Sequence, residues 1–152
     1  MSKNKEDKTV RIFCDGSVSP NPGTGGWGTL LLWRDKRKVL SGSESNSTNN
    51  RMELLAAIKG LEAVKKPKKV LITSDSQYVV RGISEWIEGW NRRGWKSSTG
   101  KEVKNSDLWK RMYVQIQRHK KVYAHWVEGH NGHPENEFVD DLAGKARLAH
   151  RQ

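Results

Sequence analysis

Five acidic residues stand where local structure gains little from them, and any chemistry in this chain starts there. Asp15 ends the apolar run Ile12-Phe13-Cys14, where a charge is costly if the strand is central. Gly16 follows, so an Asp-Gly turn is the structural alternative, although a better turn lies downstream at Pro20–Gly23. Glu53 falls in the first turn of an expected helix. Asn50 can form a capping box with it, while Ala56, Ala57 and Gly60 at i+3, i+4 and i+7 make a small-residue face suited to packing on a sheet; the two readings stand level. Asp75 follows Val70–Ser74 at the carboxyl end of an expected central strand. It can cap the next helix, yet ligands of open α/β sheets collect at the carboxyl ends of strands. Asp140 and Asp141 lie in the last helix, where Asp141 can pair with Lys145 at i+4. A helical wheel centred on Phe138, Leu142, Ala146 and Ala149 does not turn Asp140 inward, so pattern alone does not select it. Carboxylates gathered in one place offer the oxygen donors that hard cations such as Mg²⁺ prefer.

The elements that must position these acids can be read along the chain. Strands are expected at Thr9–Ser17, Gly26–Trp33 and Lys38–Ser43, joined by a break at Ser19–Gly23 and a charged turn at Arg34–Arg37. Short connections make them an antiparallel meander. A polar loop, Ser43–Asn50, leads to a helix over Met52–Val64 that Lys65-Lys66-Pro67 stops. Val70–Thr73 reads as a strand buried on both faces, followed by helices at about Gln77–Gly89 and Asp107–His119. Val122–Val127 is a fifth strand and Pro134–Ala149 a closing helix. Hairpin strands followed by alternating strands and helices give a mixed α/β sheet covered by helices.

The chain has 152 residues, enough for one core, and carries 28 Lys plus Arg against 17 Asp plus Glu, a formal charge of +11. Such a surplus suits a polyanionic partner, and it also suits a basic protein with none. The single cysteine, Cys14, excludes an internal disulfide and reads as a small core residue. Nothing approaches a membrane span and no signal-peptide core opens the chain, so a reducing, cytoplasmic setting is expected. Lys65-Lys66-Pro67-Lys68-Lys69 resembles a nuclear-import tract but is explained more simply as a solvated turn.

Four segments, in this order, resemble the signatures of bacterial ribonuclease HI: Cys14–Ser17, Thr48–Leu54, Ser74–Val79 and Gly129–Glu137. The resemblance runs from about Thr9 to Ala149. It implies a ribonuclease H-like fold, a five-stranded mixed sheet of order 3-2-1-4-5 with helices on both faces. Residues 1–8 are polar and charged and read as a flexible tail, leaving one catalytic domain over residues 9–152. The resemblance also implies an endonuclease that hydrolyses the RNA strand of RNA–DNA hybrids with two metal ions, leaving 5′-phosphate and 3′-hydroxyl ends, and that clears replication primers and R-loops. Asp15, Glu53, Asp75 and Asp140 would hold Mg²⁺, with Mn²⁺ able to substitute, and His130 would assist proton transfer or product release. Two such ions activate water on one side and stabilise the leaving oxygen on the other, so no covalent nucleophile is required. His133 has no comparable claim and reads as structural.

The same resemblance implies how the hybrid is held. Asn21, Asn49 and Gln77 would line its minor groove, where the 2′-hydroxyl is readable, and Thr48 and Asn105 would hold a DNA-strand phosphate. Asn46 stands where relatives often have arginine in that pocket, and Ser74 replaces a more usual threonine. Arg92, Arg93 and Lys96 match a basic protrusion interleaved with Trp86, Trp90 and Trp95. Trp86 and Trp90 are also spaced i, i+4 and can simply pack; Trp86 is kept as a substrate contact. A monomer with no membrane and no obligate protein partner is expected. A hybrid-binding module without catalysis is opposed by the presence of all four acids, and another nuclease of the same broad fold by the basic protrusion.

Overall fold

The computed structural model describes residues 8–150, so the expected tail lies outside the described residues except for Lys8. Strands β1 (Thr9–Val18), β2 (Gly23–Trp33) and β3 (Lys36–Ser47) form the expected antiparallel meander. β3 is twice as long as its sequence suggests, and the stretch read as a loop from Ser43 is strand as far as Ser47. Its polar side chains sit on an edge strand whose backbone pairs with the glycine-rich start of β2, Gly25 opposite Glu44 and Gly23 opposite Ser47. Polarity there reflects exposure rather than a missing ladder. The β2–β3 turn is also tighter than expected, with Arg34 at φ 59°.

Helix α1 (Asn49–Ala63) begins earlier than expected, because Thr48 is its N-cap and accepts from Arg51 N at 3.2 Å. That overturns the capping box of Asn50 with Glu53. β4 (Lys69–Ser74) pairs parallel with β1, and β5 (Lys121–Trp126) parallel with β4, giving the order 3-2-1-4-5. Between them the helix expected at 77–89 is α2 (Gln77–Arg81), a π-helical turn (Gly82–Trp86) and α3 (Ile87–Arg92). The widened turn lies against Trp109, whose indole occupies the space a Cβ on Gly82 would need. Helices α4 (Ser106–Arg118) and α5 (Pro134–Leu148) complete the chain.

Strand alternation distributes β1 between two cores. Ile12 and Cys14 pack with α1 on one face, while Phe13 packs with Leu30 and Val139 of α5 on the other. The buried face of α5 is Asn136, Val139 and Ala143, which corrects the wheel drawn through Phe138 and Leu142. Phe138 is 37% exposed, with the Arg37 guanidinium 4.7 Å over its ring. Asp140, four residues after Asn136 and three before Ala143, therefore sits beside the buried stripe.

Helix α1 lies very close to the sheet through its small residues, as its sequence suggests. Thr29 Oγ1 donates to the Ala56 carbonyl at 2.7 Å. A Cβ on Gly60 would come within 2.9 Å of Cγ2 of both Ile12 and Thr29. Both neighbours are β-branched and stiff. The crowding in Gly60→Ala should outweigh the gain of about 1 kcal/mol in helix propensity, for a net loss of about 1–2 kcal/mol. A urea titration should show a lower midpoint at unchanged slope; a higher midpoint would mean that α1 can lift from the sheet at little cost.

Candidate active site

Parallel register sets two of the acids side by side. Phe13 pairs with Thr73, so Asp15 and Asp75, each two residues further on, reach the carboxyl edge of neighbouring strands at the same height. Asp15 is not in a turn: it pairs with Gly28 and Gly16 pairs with Trp27, so the strand runs straight through both. Alternation turns Asp15 to the face of Phe13, toward α5 and Asp140, and turns Gly16 toward α1. A Cβ on Gly16 would lie 2.5 Å from the Glu53 backbone nitrogen. Glycine there lets the start of α1, and Glu53 with it, descend onto β1.

Asp75 is not the cap of α2. Ser76 Oγ takes that role, accepting from Val79 N at 3.2 Å, so the Asp75 carboxylate is left for other use. Its main chain is pinned from β5: Trp126 Nε1 donates to the Asp75 carbonyl at 3.1 Å, and Val127 N to the Ser74 carbonyl at 3.0 Å. The following loop passes directly above, since a Cβ on Gly129 would meet Asp75 Oδ2 at 2.7 Å. No pattern in the sequence marks Trp126 or Gly129 as holding Asp75. Only the β4–β5 register brings them to it.

One oxygen each of Asp15, Glu53 and Asp75 lies within 4.8 Å of the others. Glu53 Oε1 and Asp75 Oδ1 are buried with no hydrogen-bond partner. Buried orphan oxygens are rare, and an all-carboxylate donor set fits a hard divalent cation. Asp140 stands beside this group, and its charge acts on Asp75. His130 Nδ1 is 3.9 Å from Asp140 Oδ2; its side chain is 78% exposed and its φ is 56°. Asp141 pairs with Lys145 at 3.0 Å on the surface, as its spacing suggests.

Burial, with crowding after it, drives all three clustered acids toward their neutral forms. Burial is the main cause at Asp15, raising it from 3.8 to about 7, while the neighbouring Glu53 carboxyl opposes and the Asp75 charge adds. Burial and then the Asp15 charge push Glu53 well up, and burial and then the Asp140 charge raise Asp75. Cys14 beneath them is fully buried, and burial with the acid charges pushes its thiol up, so it is a poor nucleophile.

The other candidates gather around this edge in part. Asn21 Oδ1 accepts from Asn49 N at 3.3 Å, and Asn49 Oδ1 accepts from Val18 N at 3.0 Å, which joins both to the end of β1. Gln77 is exposed at the start of α2. Thr48 and Asn105 are linked through Arg51, by its backbone nitrogen and its guanidinium respectively. Trp86 belongs to an aromatic cluster with Tyr78 and Trp90, and Trp90 continues to Trp109. Arg92, Arg93 and Lys96 are exposed, with Arg93 Nε donating to the Lys96 carbonyl at 3.3 Å. His133 is structural: its Nδ1 accepts from Asn136 N and caps α5. A cleft of about 640 Å³ rimmed by Lys36, Arg37, Lys38, Lys65, Lys66 and Lys68 lies at the other end of the sheet.

A family model described as RNase H matches residues 7–147. Ribonuclease H of Novosphingobium aromaticivorans is 52% identical over 142 residues, covering 93% of this chain and 99% of that one. Ribonuclease H of Coxiella burnetii is 50% identical over 141 residues, covering 93% and 91%. The crystal structure of LC9-RNase H1, a type 1 RNase H with the type 2 active-site motif, superposes with a TM-score of 0.83 at 31% identity, over 95% of this chain and 74% of that one. LC11-RNase H1 in complex with RNA/DNA hybrid shares the fold, with a TM-score of 0.72 at 20% identity, over 91% of this chain and 96% of that one. Strand order and these likenesses agree, and this chain belongs to the ribonuclease H family.

Proposed function

We propose that this protein is an endonuclease that hydrolyses the RNA strand of RNA–DNA hybrids, with Asp15, Glu53, Asp75 and Asp140 holding two divalent cations. The observation that carries this reading is the pair of buried, unpartnered oxygens on Glu53 and Asp75 inside a cluster of carboxylates. Mg²⁺ suits these donors and Mn²⁺ can substitute. Such ions, when bound, activate a water and stabilise the leaving 3′ oxygen, giving 5′-phosphate and 3′-hydroxyl ends. His130 Nδ1, the nitrogen nearer Asp140, exchanges a proton with solvent or product from its exposed loop. Asn21, Asn49 and Gln77 meet the minor groove, and Thr48 and Asn105 a phosphate of the DNA strand. Trp86, Arg92, Arg93 and Lys96 carry the hybrid beyond the site. The ribonuclease H relatives and the hybrid-bound LC11-RNase H1 support this substrate. In the cell the role is removal of RNA from primers and R-loops by a cytoplasmic monomer; among the described residues no helix is long and apolar enough to cross a membrane.

Cleavage assays on hybrid, double-stranded RNA, single-stranded RNA and double-stranded DNA test the reading; only the hybrid should be cut, and only in its RNA strand. Asp75→Asn should reduce hybrid cleavage to background while the fold persists. Asp140→Asn should slow the chemical step severely, whereas Asp141→Asn should keep turnover and lose a surface pair worth about 0.3–0.5 kcal/mol. Equal losses in those two variants would place the acid one residue away.

The raised carboxyls also predict how the metal-free protein responds to pH. A carboxyl whose folded pKa lies above its unfolded value stabilises fully below the unfolded value, and that contribution is lost as pH rises through the folded one. For Asp15 the window runs from 3.8 to about 7, with Glu53 and Asp75 shifted in the same direction. Metal-free wild type should therefore gain thermal stability relative to Asp15→Asn as pH falls from 8 to 6. Comparing the two proteins cancels the opposite effect of buried His119, whose pKa is lowered by burial. Added Mg²⁺ at pH 8 should raise the wild-type Tm more than that of the variant. Parallel pH curves for the two proteins would show that Asp15 carries no such strain.

A further inference from the structure

Helix α5 packs across β3, β2 and β1, and beyond it the same face of the sheet is open. Strand register lays out what stands there. Thr9 pairs with Lys69 and Lys69 with Lys121; Arg11 pairs with Leu71 and Leu71 with Tyr123; Phe13 pairs with Thr73 and Thr73 with His125. Partners in neighbouring parallel strands point the same way, so these three rows share one face. Arg11, Lys69, Lys121, Tyr123 and His125 are exposed on it, and Leu71 is half-buried.

Two features separate this face from an ordinary solvated one. Tyr123 is 48% exposed, with Lys121 Nζ standing 5.6 Å from its ring centroid. Lys69 and Lys121 are direct neighbours of like charge, an arrangement that costs stability. Among the described residues no carboxylate pairs with Arg11, Lys69 or Lys121. These cations are left to meet an anion from outside. The face also runs up to the carboxylate cluster. Asp15 lies four residues beyond Arg11 and Asp75 four beyond Leu71, which is about 13 Å along the strands.

We propose that this open face of β1, β4 and β5 is a platform for an unpaired stretch of nucleic acid adjoining the hybrid. Tyr123 stacks on a base, while Arg11, Lys69 and Lys121 hold the neighbouring phosphates. An acidic protein segment would answer the cations but not the exposed ring; a nucleotide strand answers both. Inside a duplex each base is already stacked on its neighbours, so a base free to lie on Tyr123 has to be unpaired. The platform rests on the proposed hybrid substrate, and it says where a single-stranded flank of that substrate goes.

The test compares a blunt hybrid with the same hybrid extended by about six unpaired nucleotides at each strand end in turn, bound to metal-free protein. One extended form should bind wild type about tenfold more tightly than the blunt hybrid, the worth of one stacked base. Tyr123→Ala should lose that gain and Tyr123→Phe should keep it, because stacking needs the ring and not the hydroxyl. Lys69→Gln combined with Lys121→Gln should reduce the gain and flatten its dependence on salt. All these variants should bind and cut the blunt hybrid as wild type does, which also shows that they are folded. A 5-iodouracil in the unpaired tail should photo-crosslink to Tyr123. The platform is overturned if no extension tightens binding to wild type, or if the gain survives in Tyr123→Ala. A loss of self-association or of acidic-peptide binding in Tyr123→Ala, with the tail effect intact, overturns it as well. Wild type that binds the tailed hybrid more tightly but cuts no hybrid overturns the proposed activity instead, a distinct result.

Discussion

Three carboxylates within 4.8 Å of one another oppose the fold that holds them, because burial and mutual repulsion both favour protons over charge. The rest of the structure can be understood as what keeps them together regardless. The parallel β1–β4 ladder fixes Asp15 and Asp75 at one height, and neither can retreat without slipping a buried strand. Gly16 admits Glu53 from above, and Gly60 keeps the far half of α1 equally close to the sheet. Arg118 ties off the carboxyl end of that helix through the carbonyls of Leu61, Val64 and Lys65. A charge cluster needs a stiff frame, and here stiffness comes from close backbone approach rather than from ion pairs around the acids.

Much of the frame was legible because hydrophobic pattern follows burial. The meander, the buried β4 run and the small-residue face of α1 could all be read from spacing. Pattern failed where exposure and pairing diverge, as in β3, where polar side chains ride on a fully paired backbone. It failed again in α5, where an arginine covers Phe138 on the surface and so mimics a core position. That error turned the wheel and hid Asp140, which a wheel through Asn136, Val139 and Ala143 places at the edge of the buried stripe. Glu53 and Asp75 were each obscured by a plausible capping role that a neighbouring hydroxyl, Thr48 or Ser76, in fact performs. Caps are local and acids in a site are not, so only the assembled sheet separates the two.

Charge placement gives the proposed chemistry its direction. A hybrid is a polyanion, and ionised Asp15, Glu53, Asp75 and Asp140 would repel the strand that must reach them. Under the proposed function, attraction would come from elsewhere on the molecule, from the exposed cations at Arg92, Arg93 and Lys96. The lysine-rimmed cleft at the opposite end of the sheet adds to the net charge without lying near the acids. Binding and reaction are thus assigned to different charges. The basic groups can hold a hybrid whether or not the acids are neutralised, but its phosphate can approach the orphan oxygens of Glu53 and Asp75 only when cations offset them. The carboxylate cluster would then act as a gate as well as a ligand set, favouring the cation-loaded state for reaction without requiring any protein segment to move.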